Sequence, residues 1–289
     1  MKKEYPYGEG TVKWVSTDWL EEHLGRGLTV LDVQPNVHDY IQEHIPGAVY
    51  MNEGLLRVPR NGLPGQYVPG QALQLLVRRV GIRRDVPVVV YTGAGVFKGW
   101  GDGLEQTMMA YTLARFGHEH VYVLDGGLDK WKEEGKDLTK QFPEVHDSDF
   151  AVQVRREYFV EYGELKSMKD REDVILFDAR PANVYEGQGP WMKPGHIPGA
   201  INLPWASLMA EKNKRLLKPD EELQSILGPH KIDKRKTIIC SCGTGREATN
   251  EFLLFKWYLG FPNVKIYEGS FTEWSSYPEN PTVTGKNPR

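Results

Sequence analysis

Short apolar runs alternate with amphipathic stretches along the whole chain. The runs VVVY, YVL, TIIC and KIY are continuous rather than alternating, which is typical of strands that are buried on both faces of a sheet. The stretches STDWLEEHL and EATNEFLLFKWYL instead carry apolar residues at helical spacing. Their alternation with the short runs predicts βα units around parallel sheets, and therefore an α/β fold.

The same pattern occurs twice. The blocks LTVLDVQ, EHIPGAVYMN and VPVVVYTGAG of the first half return in the second half, in the same order, as VILFDAR, GHIPGAINLP and KTIICSCGTG. The matched residues are Asp32 and Asp178, His44 and His196, Thr92 and Cys242, and Trp131 and Trp274. A repeat of this length indicates a duplicated domain, because solenoid units recur every 20 to 50 residues, roughly.

We therefore predict two domains joined by a linker. The first spans residues 1–138 and the second residues 150–289, and the linker 139–149 contains Pro143 and follows neither the helical nor the strand period. A chain of 289 residues and 33.0 kDa is long enough for each domain to bury its own core.

Charge and cysteine content narrow the class of protein. The 36 basic and 39 acidic residues leave a net charge of -3 without runs of like charge, which disfavours nucleic acid and anionic membrane surfaces as partners. No stretch resembles a signal peptide or reaches the roughly 20 apolar residues of a membrane span. Two cysteines, Cys240 and Cys242, cannot form a disulfide framework and do not match C-x-x-C sites. We expect a soluble, cytoplasmic protein in a reducing compartment.

Cys242 is the candidate nucleophile. It ends the run TIICSC and begins the loop CGTGRE, and in open parallel sheets chemistry gathers where a strand gives way to a loop and a helix. The loop glycines let amides turn inward, and the following helix adds its free N–H groups, so the loop should stabilise a thiolate. Without the repeat, a small buried core residue is an equally good interpretation of Cys242. For Cys240, inside the run, core packing is the expected role.

The ordered blocks, duplicated, resemble the rhodanese (sulfurtransferase) family, and in particular tandem-domain members whose C-terminal copy is active. The resemblance implies two tandem domains, each a parallel five-stranded sheet flanked by helices, and a catalytic persulfide on Cys242. Thr92 holds the cysteine position in the first copy, and a hydroxyl lacks the acidity and the sulfur affinity of a thiol. We expect that copy to be inactive. His44 and His196 are present in both copies and are therefore assigned to the scaffold.

Two groups of residues are predicted to bind the sulfur donor. The first is the loop itself, whose amides should surround the sulfur and whose Arg246 adds one full positive charge. It comprises Gly243, Thr244, Gly245, Arg246 and Glu247. The second lies before the second HIPGA block, where family members place basic residues for the donor's anionic end: Arg180, Trp191 and Lys193. Ordinary solvated charge is the alternative for Lys193. The glycine-rich loop 93–103 of the first copy, with Phe97 and Trp100, is either a surface loop or one side of the cleft over Cys242.

The resemblance implies an enzyme that moves sulfane sulfur from thiosulfate to cyanide, a thiol or a small thiol protein, without a metal or an organic cofactor. Arg246 favours the thiosulfate dianion. Two features argue against thiosulfate as the donor. The loop shares Gly and a hydroxyl residue with the CGSGVT loop of mercaptopyruvate-preferring members, and Val184 stands where thiosulfate-preferring animal members have an arginine. A carrier of persulfide or a redox module would use the same Cys242. A cysteine phosphatase is disfavoured, because Arg246 comes too early for a Cys-x5-Arg loop.

Overall fold

The computed structural model describes residues 4–99 and 101–289. The strands of the first domain are β1 (Val12–Val15), β2 (Thr29–Asp32), β3 (Ala48–Tyr50), β4 (Arg57–Arg60), β5 (Leu63–Tyr67), β6 (Val88–Tyr91) and β7 (Val121–Leu124). Its helices are α1 (Thr17–His23), α2 (Val37–Gln42), α3 (Gly70–Arg79), α4 (Leu104–Arg115) and α5 (Gly127–Glu133). Five strands form a parallel sheet in the order β1-β7-β6-β2-β3, and β4 and β5 form a separate antiparallel hairpin.

The second domain repeats this topology. Its strands are β8 (Phe159–Val160), β9 (Val174–Asp178), β10 (Ile201–Asn202), β11 (Thr237–Ser241) and β12 (Val264–Tyr267), and its helices are α6 (Tyr162–Met168), α7 (Asp220–Leu227), α8 (Glu247–Leu253) and α9 (Ser270–Ser276). The parallel sheet has the order β10-β9-β11-β12-β8, which is the order of the first sheet once the strands are matched by position in the repeat. The predicted pair of tandem α/β domains is therefore confirmed.

Both faces of each sheet are covered. In the first domain one face packs on α1 and α5 through Leu20 and Trp131, and the other packs on α3 and α4 through Leu73 and Met109. All four residues of β6 are fully buried as a result. This double cover explains why the central strands read as uninterrupted apolar runs in the sequence.

The domains meet through α4 and α8. All twelve residues of α4 are buried, because the helix lies between its own sheet and the second domain. The Tyr111 and Phe252 rings meet edge to face with centroids 5.0 Å apart, and the hydroxyls of Thr107 and Thr249 lie 3.1 Å apart. Each helix follows the loop that ends the central strand of its domain, so this packing brings the two loops to one side of the molecule.

The residues that follow the predicted linker 139–149 stay on the first domain before the chain crosses to β8. The Phe150 ring stacks on His118, and the amides of Gln153 and Arg155 donate to main-chain carbonyls of the segment that ends α4. Arg155 is four residues before the start of β8. No helix in the described part of the chain combines the length and the apolarity that crossing a bilayer requires.

Candidate active site

Cys242 directly follows the last residue of the central strand β11 and is fully buried. Its amide donates to the Ser270 hydroxyl over 3.1 Å. The Gly245 amide points back at the sulfur, with 3.0 Å between nitrogen and Sγ. Gly245 has φ +85°, and a Cβ there would lie 2.8 Å from the Glu268 carbonyl oxygen. The tight turn that aims this amide at the sulfur therefore requires glycine.

The start of α9 fixes the other side of the loop. The Phe271 amide donates to the Cys242 carbonyl over 2.9 Å, and the Thr272 amide and hydroxyl both donate to the Gly243 carbonyl. The Trp191 indole donates to the Thr272 hydroxyl over 2.8 Å. Its ring covers Gly243 so closely that a Cβ there would lie 2.6 Å from the ring. Because the loop carbonyls are held on the outside, loop amides are left to face the sulfur.

The electrostatics of the thiol differ from the sequence-based expectation. Burial raises the pKa of the Cys242 thiol, and the nearby Glu247 carboxylate raises it further, whereas the amides of Ala248 and Thr244 lower it by less. The amides that the sequence predicted are present, but the loss of water around a fully buried sulfur outweighs them. Burial therefore opposes the thiolate that the loop amides were expected to stabilise.

Arg180 lies in this site but is largely committed to Asp178. Its Nε and Nη2 atoms donate to the Asp178 carboxylate, and Nη2 also donates to the Gly195 carbonyl over 3.0 Å. The guanidinium also contacts the rings of Trp191 and Phe271, at 5.0 and 4.2 Å from their centroids. Nη1 is buried and has no hydrogen-bond partner among the described residues. This atom is the part of Arg180 that could still bind a donor.

Lys193 does not have the predicted position. Its ammonium donates to the carbonyls of Tyr277, Pro278 and Asn280 over 2.6, 3.0 and 2.7 Å. These carbonyls lie just beyond the end of α9, where no helical N–H groups remain to bond them. All three protons of the ammonium are thus used at a helix end, and the predicted donor contact is replaced by a structural role.

Arg246 is also occupied. Its Nε bonds Glu53 over 2.8 Å, Nη1 bonds Asp102 over 2.6 Å and Nη2 bonds Glu105 over 3.1 Å, all three from the first domain. Burial and the neighbouring Asp102 raise the pKa of Glu105 to about 7, although Arg246 opposes the shift. The predicted contact between Arg246 and an anionic donor is therefore not available in this arrangement, because the guanidinium already faces three carboxyl groups. The sequence did not reveal these partners, since they belong to the other domain.

The hairpin of β4 and β5 also reaches the loop. Arg57 donates through Nη2 to the Thr244 carbonyl. This carbonyl belongs to the same peptide group as the Gly245 amide that points at Sγ. The first domain thus contacts the loop that begins with Cys242 both at this peptide and at Arg246.

In the first copy the corresponding loop is occupied by carboxylates. The Ala94 amide donates to Asp129, with 3.1 Å to the nearer oxygen. The amides of Val96 and Phe97 donate to Asp39 over 2.7 and 3.0 Å. The group of amides that would surround a sulfur anion already binds two negative charges of the protein itself.

The second copy lacks both of these carboxylates. Tyr40 and Tyr185 match, because each donates its hydroxyl to the carbonyl of the alanine in the following HIPGA block. The matched tyrosines and the repeated tryptophans align the two copies. This alignment pairs the residues just before the tyrosines, and it pairs the residues two positions before the tryptophans. The pairs are Asp39 with Val184 and Asp129 with Thr272. A comparison of the repeats at these two positions would have indicated the difference from sequence alone.

The loop of the first copy lies beside the second domain at one end. Its residue Asp102 bonds Arg246, whereas the Phe97 side chain is 57% exposed. Trp100, the other aromatic residue considered for the cleft, lies outside the described residues. The loop therefore combines an exposed middle with an end that contacts the active copy.

The two histidines and Cys240 have structural surroundings. His44 stacks on Tyr40 and His196 on Tyr185, with ring centroids 4.1 and 3.6 Å apart, and each histidine Nδ1 bonds the carbonyl of that tyrosine. Cys240 is fully buried in the core. Burial raises the pKa of the Cys240 thiol well above its ordinary value. These residues have the environment of a scaffold.

Replacing the carboxylate beside the nucleophile should make the thiol more acidic. Because the Glu247 charge disfavours the Cys242 thiolate, Glu247→Gln should lower the pKa of that thiol, by about one pH unit. The rate of alkylation by iodoacetamide as a function of pH measures this in a Cys240→Ser background. Glu133 is exposed, and Glu133→Gln serves as the control. An unchanged or higher pKa of the Cys242 thiol in Glu247→Gln would contradict the effect assigned to the Glu247 charge.

Restoring the cysteine alone should not activate the first copy. We expect Thr92→Cys in a Cys242→Ser background to take up no sulfur from thiosulfate, because Asp39 and Asp129 occupy the loop amides. Intact mass after incubation with thiosulfate measures the uptake. A sulfur adduct on the introduced cysteine would show that the carboxylates do not block the loop.

Comparison with known proteins agrees with this architecture. The family model for the rhodanese-like domain matches residues 16–134 and 161–277. The chain is 35% identical to a Synechococcus elongatus protein provisionally named a thiosulfate sulfurtransferase, over 93% of this chain and 84% of that one. It is 31% identical to the sulfur carrier protein TtuD of Thermus thermophilus, over 94% and 96%.

A solved structure supports the same relationship. The crystal structure of the 3-mercaptopyruvate sulfurtransferase of Escherichia coli matches with a TM-score of 0.79 and 29% identity, covering 89% of this chain and 98% of that chain. Both repeats of the present chain are matched by the same family model. The chain therefore belongs to the rhodanese family of sulfurtransferases, with two rhodanese-like domains in tandem.

Proposed function

We propose that the protein transfers sulfane sulfur from thiosulfate to a thiophilic acceptor through a persulfide on Cys242. The observation that carries the proposal is the Gly245 amide, which lies 3.0 Å from the Cys242 sulfur at the end of the central strand. An amide in this position stabilises negative charge on a sulfur atom. The name of the Synechococcus relative supports thiosulfate as the donor.

The reaction divides into two displacements at sulfur. Cys242 sulfur attacks the outer sulfur of thiosulfate, the S–S bond of the donor breaks, and sulfite leaves with its electron pair. The thiol proton passes to Glu247, the carboxylate that faces it. The acceptor then attacks the outer sulfur of the persulfide and releases Cys242. Splitting one transfer into two steps through a covalent intermediate gives ping-pong kinetics.

The acceptor is a small thiophile such as cyanide or a thiol, or the thiol of a small protein. The similarity to a protein named as a sulfur carrier supports a protein acceptor. A carrier that hands on its persulfide without repeated turnover would use the same cysteine. Multiple turnovers with a small acceptor distinguish the enzyme from the carrier.

A second donor, 3-mercaptopyruvate, is favoured by one observation. The three carboxyl groups around Arg246 remove the positive charge that made a dianionic donor attractive. The similarity to the Escherichia coli enzyme points the same way. Both donors give the same persulfide on Cys242. With thiosulfate the S–S bond breaks and sulfite leaves, whereas with 3-mercaptopyruvate the C–S bond breaks and pyruvate leaves as its enolate, which then takes up a proton.

The persulfide is tested by mass. We expect thiosulfate to add one sulfur atom to the protein under anaerobic conditions and cyanide to remove it. Cys242→Ser should take up none, because the nucleophile is gone, and Cys240→Ser should keep most of the uptake, because Cys240 lies in the core. Loss of the adduct in a folded Cys240→Ser variant alone would instead indicate a two-cysteine cycle.

The donor is tested by steady-state kinetics with one acceptor. We expect a higher kcat/KM with thiosulfate than with 3-mercaptopyruvate in the wild-type protein. The opposite order would make the protein a 3-mercaptopyruvate sulfurtransferase and would leave the persulfide mechanism intact.

A further inference from the structure

We propose that the first domain, which lacks the cysteine, orients the peptide group that faces the Cys242 sulfur, with Arg57 as the principal positioning residue. The inference rests on the proposed function, since it concerns the stabilisation of sulfur at Cys242. It gives the first domain a part in turnover although its own loop is occupied by carboxylates.

One peptide group connects the first domain to the sulfur. Its N–H end belongs to Gly245 and points at Sγ over 3.0 Å, and its C=O end belongs to Thr244 and accepts a hydrogen bond from Arg57. A cation at the oxygen end polarises the peptide and makes its N–H a stronger donor, because hydrogen bonds in series strengthen one another where the local dielectric is low. The charge of Arg57 thereby acts on the sulfur through a single peptide.

The residue after this peptide is anchored as well. Each of the three guanidinium nitrogens of Arg246 bonds a different carboxyl group, from Glu53, Asp102 and Glu105. The Glu105 side chain is only 3% exposed. The planar Arg246 guanidinium can contact these three carboxyl groups at once in only one orientation. The flexible ammonium of a lysine could not reproduce that geometry. The loop is therefore held at Arg246 immediately beyond the peptide that Arg57 holds.

Arg57 itself is fixed by its hairpin. The same Nη2 atom donates to the Gly65 carbonyl, and the guanidinium lies 5.7 Å from the Tyr67 ring centroid. Both residues are on β5, opposite Arg57 on β4. The hairpin thus presents a single cation to the loop from outside the second domain.

The test compares Arg57→Met, Arg57→Lys and the control Arg60→Ala, which alters an exposed arginine of the same hairpin. Because a positioning residue acts on the sulfur and not on the donor, Arg57→Met should lower kcat roughly tenfold with either donor and change KM little. It should also raise the pKa of the Cys242 thiol, measured by iodoacetamide alkylation. Arg57→Lys keeps the charge and should recover part of kcat, and Arg60→Ala should match the wild type.

Three results would overturn the inference. An unchanged kcat in a folded Arg57→Met variant would show that the contact has no role. A rise in thiosulfate KM alone would make Arg57 a donor-binding residue. A loss of kcat with an unchanged thiol pKa would indicate a general structural effect. These outcomes differ from a failure of the proposed function, which would appear as a wild-type protein that forms no persulfide with any donor.

The carboxyl groups around Arg246 allow a second test of the same inference. Glu105→Gln should lower kcat for both donors by a similar factor and have no further effect in an Arg246→Ala background, because it acts through Arg246. Arg246→Lys, which keeps the charge and loses the fork, should also lower kcat. Full activity in Arg246→Lys would mean that only the charge matters and would contradict a positioning role.

Discussion

The packing of α4 against α8 determines how the two halves of this protein work together. Each helix begins where a loop leaves the central strand of its domain, so burying one helix against the other places the two loops side by side. The contact includes the edge-to-face rings of Tyr111 and Phe252 and the hydroxyls of Thr107 and Thr249. At the start of both helices it becomes charged, where Asp102 and Glu105 meet Arg246. The packing of the two helices therefore places these charged groups opposite one another.

Much of the fold could be predicted from the sequence, and Cys242 could be chosen as the candidate nucleophile, because both depend on local patterns. Apolar runs, the repeated HIPGA blocks and the CGTGRE loop each report on residues close together in the chain. The surroundings of Arg246 and Lys193 could not be predicted in this way. Their partners are distant in sequence, and a long charged side chain takes its orientation from whichever acceptors the tertiary structure brings near it.

The ionisation of Cys242 required the structure for a different reason. Loop composition indicated amides around the sulfur, and these amides are present. The state of the thiol, however, depends on the balance between those amides and the loss of water, and the extent of burial is a property of the whole packed domain. Loop composition can therefore indicate that the amides lower the pKa of the thiol without indicating whether the net shift is downward or upward.

The full burial of Cys242 has a consequence for the life of the protein between catalytic cycles. Peroxide attacks the thiolate form of accessible cysteines and converts it stepwise to sulfenic, sulfinic and sulfonic acids, and the last of these steps is irreversible. Burial of Cys242 both disfavours the thiolate and limits the approach of solvent species to the sulfur. We therefore expect Cys242 to resist oxidation in the resting protein, because the same loss of water that makes the thiol less acidic also shields it until a sulfur donor arrives.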